Sequence, residues 1–267
     1  MPALPAQPTP YPDVNALLEL VLREVQTVLA GEFAGMYLHG SLATGDFDPL
    51  SSDIDVVVVT AGELEAELLP ALAAMHARIA GSGLAWASHL ECSYWPRAAL
   101  RRYEPNRARH PEMGVDKPFA VRQQQPDWVI ELHILRERGV VLAGPPPRAL
   151  IDPISPGELK AAVCAILRGW WLDMLDEPDW FHAHIYQAFA VLTMCRALYT
   201  LRYGAVVSKP AAATWARRAL AARWAPLIDR ALAWRHDGGA GDPSEPLAFI
   251  RYAIEHSGRD ENADRPR

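Results

Sequence analysis

The sequence predicts an α+β fold, with an N-terminal mixed sheet and its helices followed by a C-terminal all-α helical bundle. In the first half, short apolar runs typical of strands alternate with longer segments at helical spacing, whereas the second half holds helical segments. The run Gly144-Pro145-Pro146-Pro147 separates the halves, because it continues neither a helix nor a central strand. With 267 residues, half of them hydrophobic, the chain is long enough for two cores.

These observations predict four parts of the chain. Residues 1–13 form a flexible Pro-rich arm and 258–267 a disordered tail, because neither carries apolar periodicity. Residues 14–144 form the sheet domain, and 145–257 the helical domain.

A separate sequence pattern predicts each helix and strand of the sheet domain. Apolar residues at helical spacing predict helices over 14–30 and 64–79, each closed by glycine. Apolar and alternating runs predict strands over 35–39, 54–60, 84–94 and 128–135. The polar stretch 97–125, with repeated Pro and Arg, is interpreted as a loop. In the second domain the predicted helices, several beginning with Pro, are 156–171, 181–202, 211–224, 226–234 and 246–257.

Composition limits the class of function. A net charge of −6 and a pI near 5.8 disfavour a dedicated nucleic-acid binder and favour a small cationic substrate. The three cysteines, Cys92, Cys164 and Cys195, lack the spacing of a disulfide framework or a zinc site. The N-terminus lacks a signal-peptide pattern, and no apolar run approaches the roughly 20 residues of a membrane span. We therefore expect a cytoplasmic protein, and a monomer.

The most informative motif joins the first two strands. The first strand ends at Gly40-Ser41, where a glycine lets the backbone approach phosphate oxygens and the Ser41 hydroxyl donates to them. Asp53-Ile54-Asp55 opens the next strand, and alternation places both acids on one side while Ile54 enters the core. Two neighbouring carboxylates repel unless a cation lies between them, which indicates Mg²⁺ with a nucleoside triphosphate.

A third carboxylate completes such a site as a metal ligand or as the base for an acceptor hydroxyl, and it is expected on a neighbouring strand. Glu91, in a strand ending Leu90-Glu91-Cys92-Ser93-Tyr94, is preferred. Glu131, in Val129-Ile130-Glu131-Leu132, is the alternative.

Two features of the second domain have a functional and an ordinary interpretation. Lys209, one of three lysines, precedes a helix start and is either a triphosphate ligand or a solvated surface residue. A short stretch combining acids and tryptophans either binds a cationic ligand by charge and cation–π contact or is an acidic helix end with core tryptophans; it includes Trp170, Trp171, Asp179 and Trp180.

The motif from Gly40-Ser41 to Asp53-Ile54-Asp55 resembles that of the nucleotidyltransferase superfamily. Most of 14–225 resembles the aminoglycoside 3''-nucleotidyltransferases, the streptomycin/spectinomycin adenylyltransferases of antibiotic resistance. Supporting stretches are Glu91 after the second helix, Val140 to Pro145 with Leu150 to Pro153, and Cys195 to Tyr199 running on to Val207-Ser208-Lys209.

This resemblance implies transfer of AMP from ATP to a hydroxyl of an aminoglycoside-type antibiotic, with Mg²⁺ and release of pyrophosphate. By resemblance, Asp53, Asp55 and Glu91 bind metal and carry catalysis, with Glu91 as base. Nucleotide-binding residues are Gly40, Ser41, Lys209 and Arg196; drug-binding residues are Asp179, Trp170, Trp171 and Trp180.

The chain departs from the resistance enzymes on the acceptor side. Between Trp95 and Trp128 it has no counterpart of their substrate-stacking tryptophan, and Phe181 to Tyr186 lack their acids. Two alternatives therefore stay open: a nucleotidyltransferase for another acceptor (a protein hydroxyl, RNA or another small molecule), and a non-catalytic binder of a cationic ligand.

Overall fold

A computed structural model describes residues 7–115, 117–234 and 238–258. They divide into two compact units: the first extends to Pro153 apart from 49–51, and the second begins at Ile154 and includes 49–51. The first unit thus continues beyond the boundary predicted at Gly144.

The first unit is built on a six-stranded sheet in the order β5-β4-β3-β2-β1-β6. Only β2 and β3 pair in parallel, and every other neighbouring pair is antiparallel. The strands are β1 (Phe33–Leu38), β2 (Ile54–Thr60), β3 (Leu90–Pro96), β4 (Arg109–Gly114), β5 (Lys117–Gln123) and β6 (Val140–Ala143).

The helices of this unit connect or cover the strands. Helix α3 joins the parallel strands β2 and β3, as a parallel pair requires. The helices are α1 (Pro12–Leu29), α2 (Gly40–Thr44), α3 (Leu68–Ala80), α4 (Arg97–Leu100), α5 (Trp128–Arg138) and α6 (Pro147–Leu150).

Strand alternation gives the sheet two different faces. On one face, Ile54, Val56 and Val58 of β2 join a core with α1 and α3. Asp55 therefore points to the opposite face, where Trp95 of β3 contacts Trp128 of α5 with ring centroids 4.6 Å apart. The prediction that Ile54 enters the core is confirmed, because its side chain is fully buried.

Two sequence predictions for this unit are wrong. Residues 128–135 form helix α5, although Ile130, Leu132 and Ile134 alternate as in a strand; all three are buried because the helix is covered on more than one side. The interpretation of 97–125 as a loop misses strands β4 and β5. Each of these strands contains a proline, a residue that argues against a strand in sequence-based prediction. Pro118 is tolerated because β5 is an edge strand, where a backbone donor is not needed.

The second unit is helical, as predicted. Its helices are α7 (Pro156–Arg168), α8 (Trp170–Asp173), α9 (His184–Tyr203), α10 (Lys209–Ala219), α11 (Ala225–Trp234) and α12 (Ser244–His256). Helix α9 is its centre, since it packs against α7, α10, α11 and α12. A capping box of Ser155 and Glu158 begins α7, and Gly204, with φ of +61°, ends α9.

The predicted termini lie partly outside the described residues, which omit 1–6 and 259–267. The prediction of a flexible arm is wrong for its described end: Thr9 is buried, its hydroxyl donates to Asn15 Oδ1 at 2.7 Å, and α1 already begins at Pro12. Over the described parts of the chain, no helix has both the length and the apolar character needed to cross a bilayer.

Candidate active site

The predicted acids meet on the sheet face covered by α5. Asp55 and Glu91 are register partners in the parallel pair β2–β3, so their side chains lie next to each other on one face. Asp53, two residues before Asp55, points to the same side, and its Oδ1 lies 3.6 Å from His89 Nδ1. The structure therefore brings Asp53, Asp55 and Glu91 together.

Gly40 fixes the position of the Asp55 carboxylate. The residue adopts φ of +59° and begins α2, so the predicted turn is the first residue of a short helix. A Cβ at this position would lie 1.9 Å from Asp55 Oδ2, closer than any real contact. Only glycine therefore allows the backbone to pass directly beside this carboxylate.

Glu91 has a strongly raised pKa. Burial, followed by the negative charges of Asp55 and Asp53, raises its pKa to about 7, although Lys117 and a hydrogen bond from the Val115 backbone act in the opposite direction. The hairpin β4–β5 makes room for this side chain, since a Cβ on Gly114 would lie 2.8 Å from Glu91 Oε1. A carboxylate with a pKa near neutrality is suited to accept a proton from a substrate hydroxyl.

Glu131, the alternative third carboxylate, lies on helix α5 rather than on a strand. Its Oε2 is 3.2 Å from Nδ1 of His39, a buried side chain at the end of β1. Burial alone would lower the pKa of His39, but the hydrogen bond to Glu131 and the carboxylates of Asp55 and Glu91 outweigh it and raise the pKa. Glu131 is thus engaged with an imidazole, which favours Glu91 as the base.

A pocket opens beside Asp55 and Glu91 and encloses about 280 Å³ of space that continues into solvent. Residues that the sequence analysis did not single out complete its wall: His39, Ser93, Glu112 and Trp128. Ser93 had a sequence signal, because it follows Glu91 by two residues and so shares its face. Glu112 and Trp128 had none, since their elements were assigned to the wrong structure.

The carboxylates of the site bear on Mg²⁺ binding. Over the described residues, no group of three or more His, Cys, Asp or Glu side chains could hold a metal ion by itself. Mg²⁺, however, is usually held by one or two carboxylates together with substrate phosphates and water. The carboxylates of Asp53 and Asp55, close enough to Glu91 to raise its pKa, fit that arrangement.

In the second unit, the three predicted tryptophans form one aromatic cluster. The ring centroids of Trp170 lie 4.7 Å from Trp171 and 6.2 Å from Trp180. Phe189 of α9 stacks on Trp171 at 5.9 Å, and the Lys209 ammonium lies over Phe189, 4.4 Å from its centroid. Lys209 is thus adjacent to the predicted drug-binding tryptophans within this unit.

The other predicted residues of this unit differ in exposure. Arg196 is half-buried, two turns after Phe189 on the same face of α9. The side chain of Asp179 is 97% exposed and lies 3.3 Å from His182 Nε2. Its roles, like those of Arg196 and Lys209, stay predictions.

Two family models match the chain. A nucleotidyltransferase domain matches residues 19–106, and the C-terminal domain of aminoglycoside adenylyltransferases matches 149–256. The fold, with Asp53 immediately before β2, Asp55 on β2 and Glu91 on β3, carries the first of these domains and is that of a nucleotidyltransferase.

Characterised proteins extend the match along the chain. The chain is 27% identical over 230 residues to a spectinomycin 9-adenylyltransferase of Campylobacter jejuni, covering 79% of this chain and 81% of that protein. It is 26% identical over 256 residues to an aminoglycoside (3'') (9) adenylyltransferase of Escherichia coli, covering 90% and 93%. The chain is thus similar to aminoglycoside adenylyltransferases along most of its length.

A solved structure shares the fold. Spectinomycin adenyltransferase AAD(9) from Enterococcus faecalis, crystallised with ATP and spectinomycin, superposes with a TM-score of 0.70. The match covers 91% of this chain and 99% of that one at 14% identity.

Proposed function

We propose that this protein transfers AMP from ATP to a hydroxyl of an aminoglycoside-type antibiotic and releases pyrophosphate. The observation that carries the proposal is the pairing of Asp55 with Glu91 on adjacent strands, with Asp53 on the same side. Similarity to relatives that are named for spectinomycin or aminoglycosides supports the acceptor class.

In this reaction the acceptor oxygen forms a bond to the α-phosphorus of ATP, the bond from that phosphorus to the bridging oxygen breaks, and pyrophosphate leaves. Glu91 takes the proton of the attacking hydroxyl at its carboxylate. Its buried position between Asp55 and the hairpin favours proton uptake, because burial and like charge both stabilise the neutral acid.

Asp53 and Asp55 would hold Mg²⁺, which when bound neutralises phosphate charge and stabilises the leaving pyrophosphate. Gly40 leaves room for the Asp55 carboxylate beside the backbone, and the contact of His39 with Glu131 links α5 to the end of β1. We propose that Gly40, Ser41, Lys209 and Arg196 contact the triphosphate, as the resemblance implies.

A pair of matched substitutions tests the base. Glu91→Gln should lower kcat about 10²- to 10⁴-fold for drug-dependent pyrophosphate release, while ATP affinity changes little, because the variant keeps size and loses the proton acceptor. Glu131→Gln, the control, should keep most of the activity, since its partner His39 retains a hydrogen-bonding neighbour.

The assay measures pyrophosphate with streptomycin, spectinomycin and a wider aminoglycoside panel. A Glu91→Gln variant at the wild-type rate, or a larger loss in Glu131→Gln, would reject Glu91 as base. ATP binding without release for any drug would reject the acceptor class and leave the nucleotidyltransferase assignment in place.

A further inference from the structure

The sheet face that carries Glu91 continues into a second group of side chains. Ser93 is two residues after Glu91 on β3, and Ser93 pairs with Glu112 of β4. Alternation places all three on the same face, with Ser93 about 7 Å further along the strand than Glu91. Glu112 and Ser93 line the same pocket as Glu91 and Asp55.

Ser93 carries an unsatisfied polar atom into this pocket. The side chain is 5% exposed, and its Oγ has no hydrogen-bond partner among the described residues. A buried hydroxyl without a partner costs free energy, so such a group on a pocket wall is typical of a ligand contact.

The Glu112 carboxylate is held in place and remains open to the pocket. Its Oε2 accepts a hydrogen bond from Gln124 Nε2 at 2.9 Å, while Oε1 is 3.9 Å from Arg122 Nε, too far for a hydrogen bond. The side chain is 23% exposed. The carboxylate is oriented by Gln124 and is only weakly paired with Arg122. Its Oε1 atom can therefore accept a hydrogen bond from a cationic ligand.

Trp128 supplies an aromatic side chain to the wall of the same pocket. The ring is half-buried and lines the pocket. It is braced by Trp95 at 4.6 Å and His39 at 6.0 Å between ring centroids. A packed indole and a carboxylate that line one pocket can bind a cation by combining charge with cation–π attraction.

We propose that Ser93, Glu112 and Trp128 form an acceptor subsite that binds a protonated amine of the substrate and so presents a neighbouring hydroxyl to Glu91. This inference rests on the proposed function and deepens it. It places a specificity determinant on the hairpin side of the first unit.

Kinetics of three variants test the subsite with the drug that gives pyrophosphate release. Glu112→Gln should raise the acceptor KM about tenfold to a hundredfold. Trp128→Leu should raise it about threefold to tenfold, and Trp128→Phe should restore part of the loss. The ATP KM should stay close to wild type in all three variants, and the melting temperature should stay close to wild type in Glu112→Gln. Glu104→Gln is the matched control. Glu104 is exposed, and its Oε2 lies 3.8 Å from Arg107 Nη1, a distance similar to the 3.9 Å between Glu112 Oε1 and Arg122 Nε.

Direct binding separates failure of the subsite from failure of the reaction. Titration calorimetry with streptomycin and spectinomycin, in the presence of a non-hydrolysable ATP analogue, should show weaker binding to Glu112→Gln than to Glu104→Gln even if no product forms. Equal affinities, or an effect on ATP alone, would overturn the subsite while leaving the reaction standing. Absence of both drug binding and turnover would overturn both proposals.

Discussion

Substitution of Gly40 by alanine should separate backbone strain from disruption of the active site. The added Cβ would lie 1.9 Å from Asp55 Oδ2 and 2.6 Å from its Cγ. Ordinary contacts begin at 3.4 Å, so the carboxylate must move by about 1.5 Å. A displacement of this order at a catalytic group costs about 10² in rate, which corresponds to about 2.7 kcal/mol in the activation free energy.

The left-handed backbone adds a second cost, roughly 1–2 kcal/mol of stability for any residue with a Cβ. Gly45→Ala is a matched control for this term, because Gly45 has φ of +82° and nothing within 4 Å of a Cβ. Both variants should therefore melt at similarly lowered temperatures, and only Gly40→Ala should lose about 10² in turnover.

The assay combines thermal unfolding with drug-dependent pyrophosphate release and with Mg·ATP affinity. Wild-type activity of both variants would refute the reasoning, because it would mean that the position of Asp55 beside Gly40 is not needed. A strong loss in both would assign the effect to strain in the segment between β1 and β2.

Two further predictions concern a buried histidine and the conspicuous lysine. Burial lowers the pKa of His76 to about 4, so the folded protein keeps it neutral while the unfolded chain takes up a proton below its ordinary value of 6.5. Above pH 6.5, His76 is neutral in both states and does not lower the free energy of unfolding. As the pH drops to 4, protonation of His76 in the unfolded chain lowers the free energy of unfolding by about 3 kcal/mol. Urea unfolding of His76→Gln should show a shallower loss between these pH values, and an unchanged slope would contradict it. Lys209→Met keeps apolar packing over Phe189 but removes the charge, so the ATP KM should rise at least tenfold with little change in melting temperature. A lower melting temperature with an unchanged ATP KM would assign Lys209 a structural role.

Local patterns in the sequence were sufficient where one face of an element is buried. The alternation in β2 places Asp55 opposite Ile54, and the structure confirms it. The helices of the second unit were likewise predicted, because caps and helical spacing are local signals.

The hairpin β4–β5 and helix α5 show where local signals fail. Helix α5 is buried on several sides, so its apolar residues carry no helical period and resemble a strand. Pro118 argued against a strand at β5. The proline is tolerated there because β5 lies at the edge of the sheet. Both errors fell on the elements that supply Glu112, Trp128 and Glu131.

The sequence by itself determined the fold class and predicted the pair Asp53 and Asp55, with Glu91 preferred over Glu131 as the third carboxylate, because strand alternation and a Gly-Ser junction are readable over a few residues. Only the tertiary structure decided that Glu131 pairs with His39, that Gly40 abuts Asp55, and that Ser93, Glu112 and Trp128 share a pocket with Glu91. These contacts join segments far apart in the chain, and their partners are set by strand order and register, which no short stretch of sequence encodes.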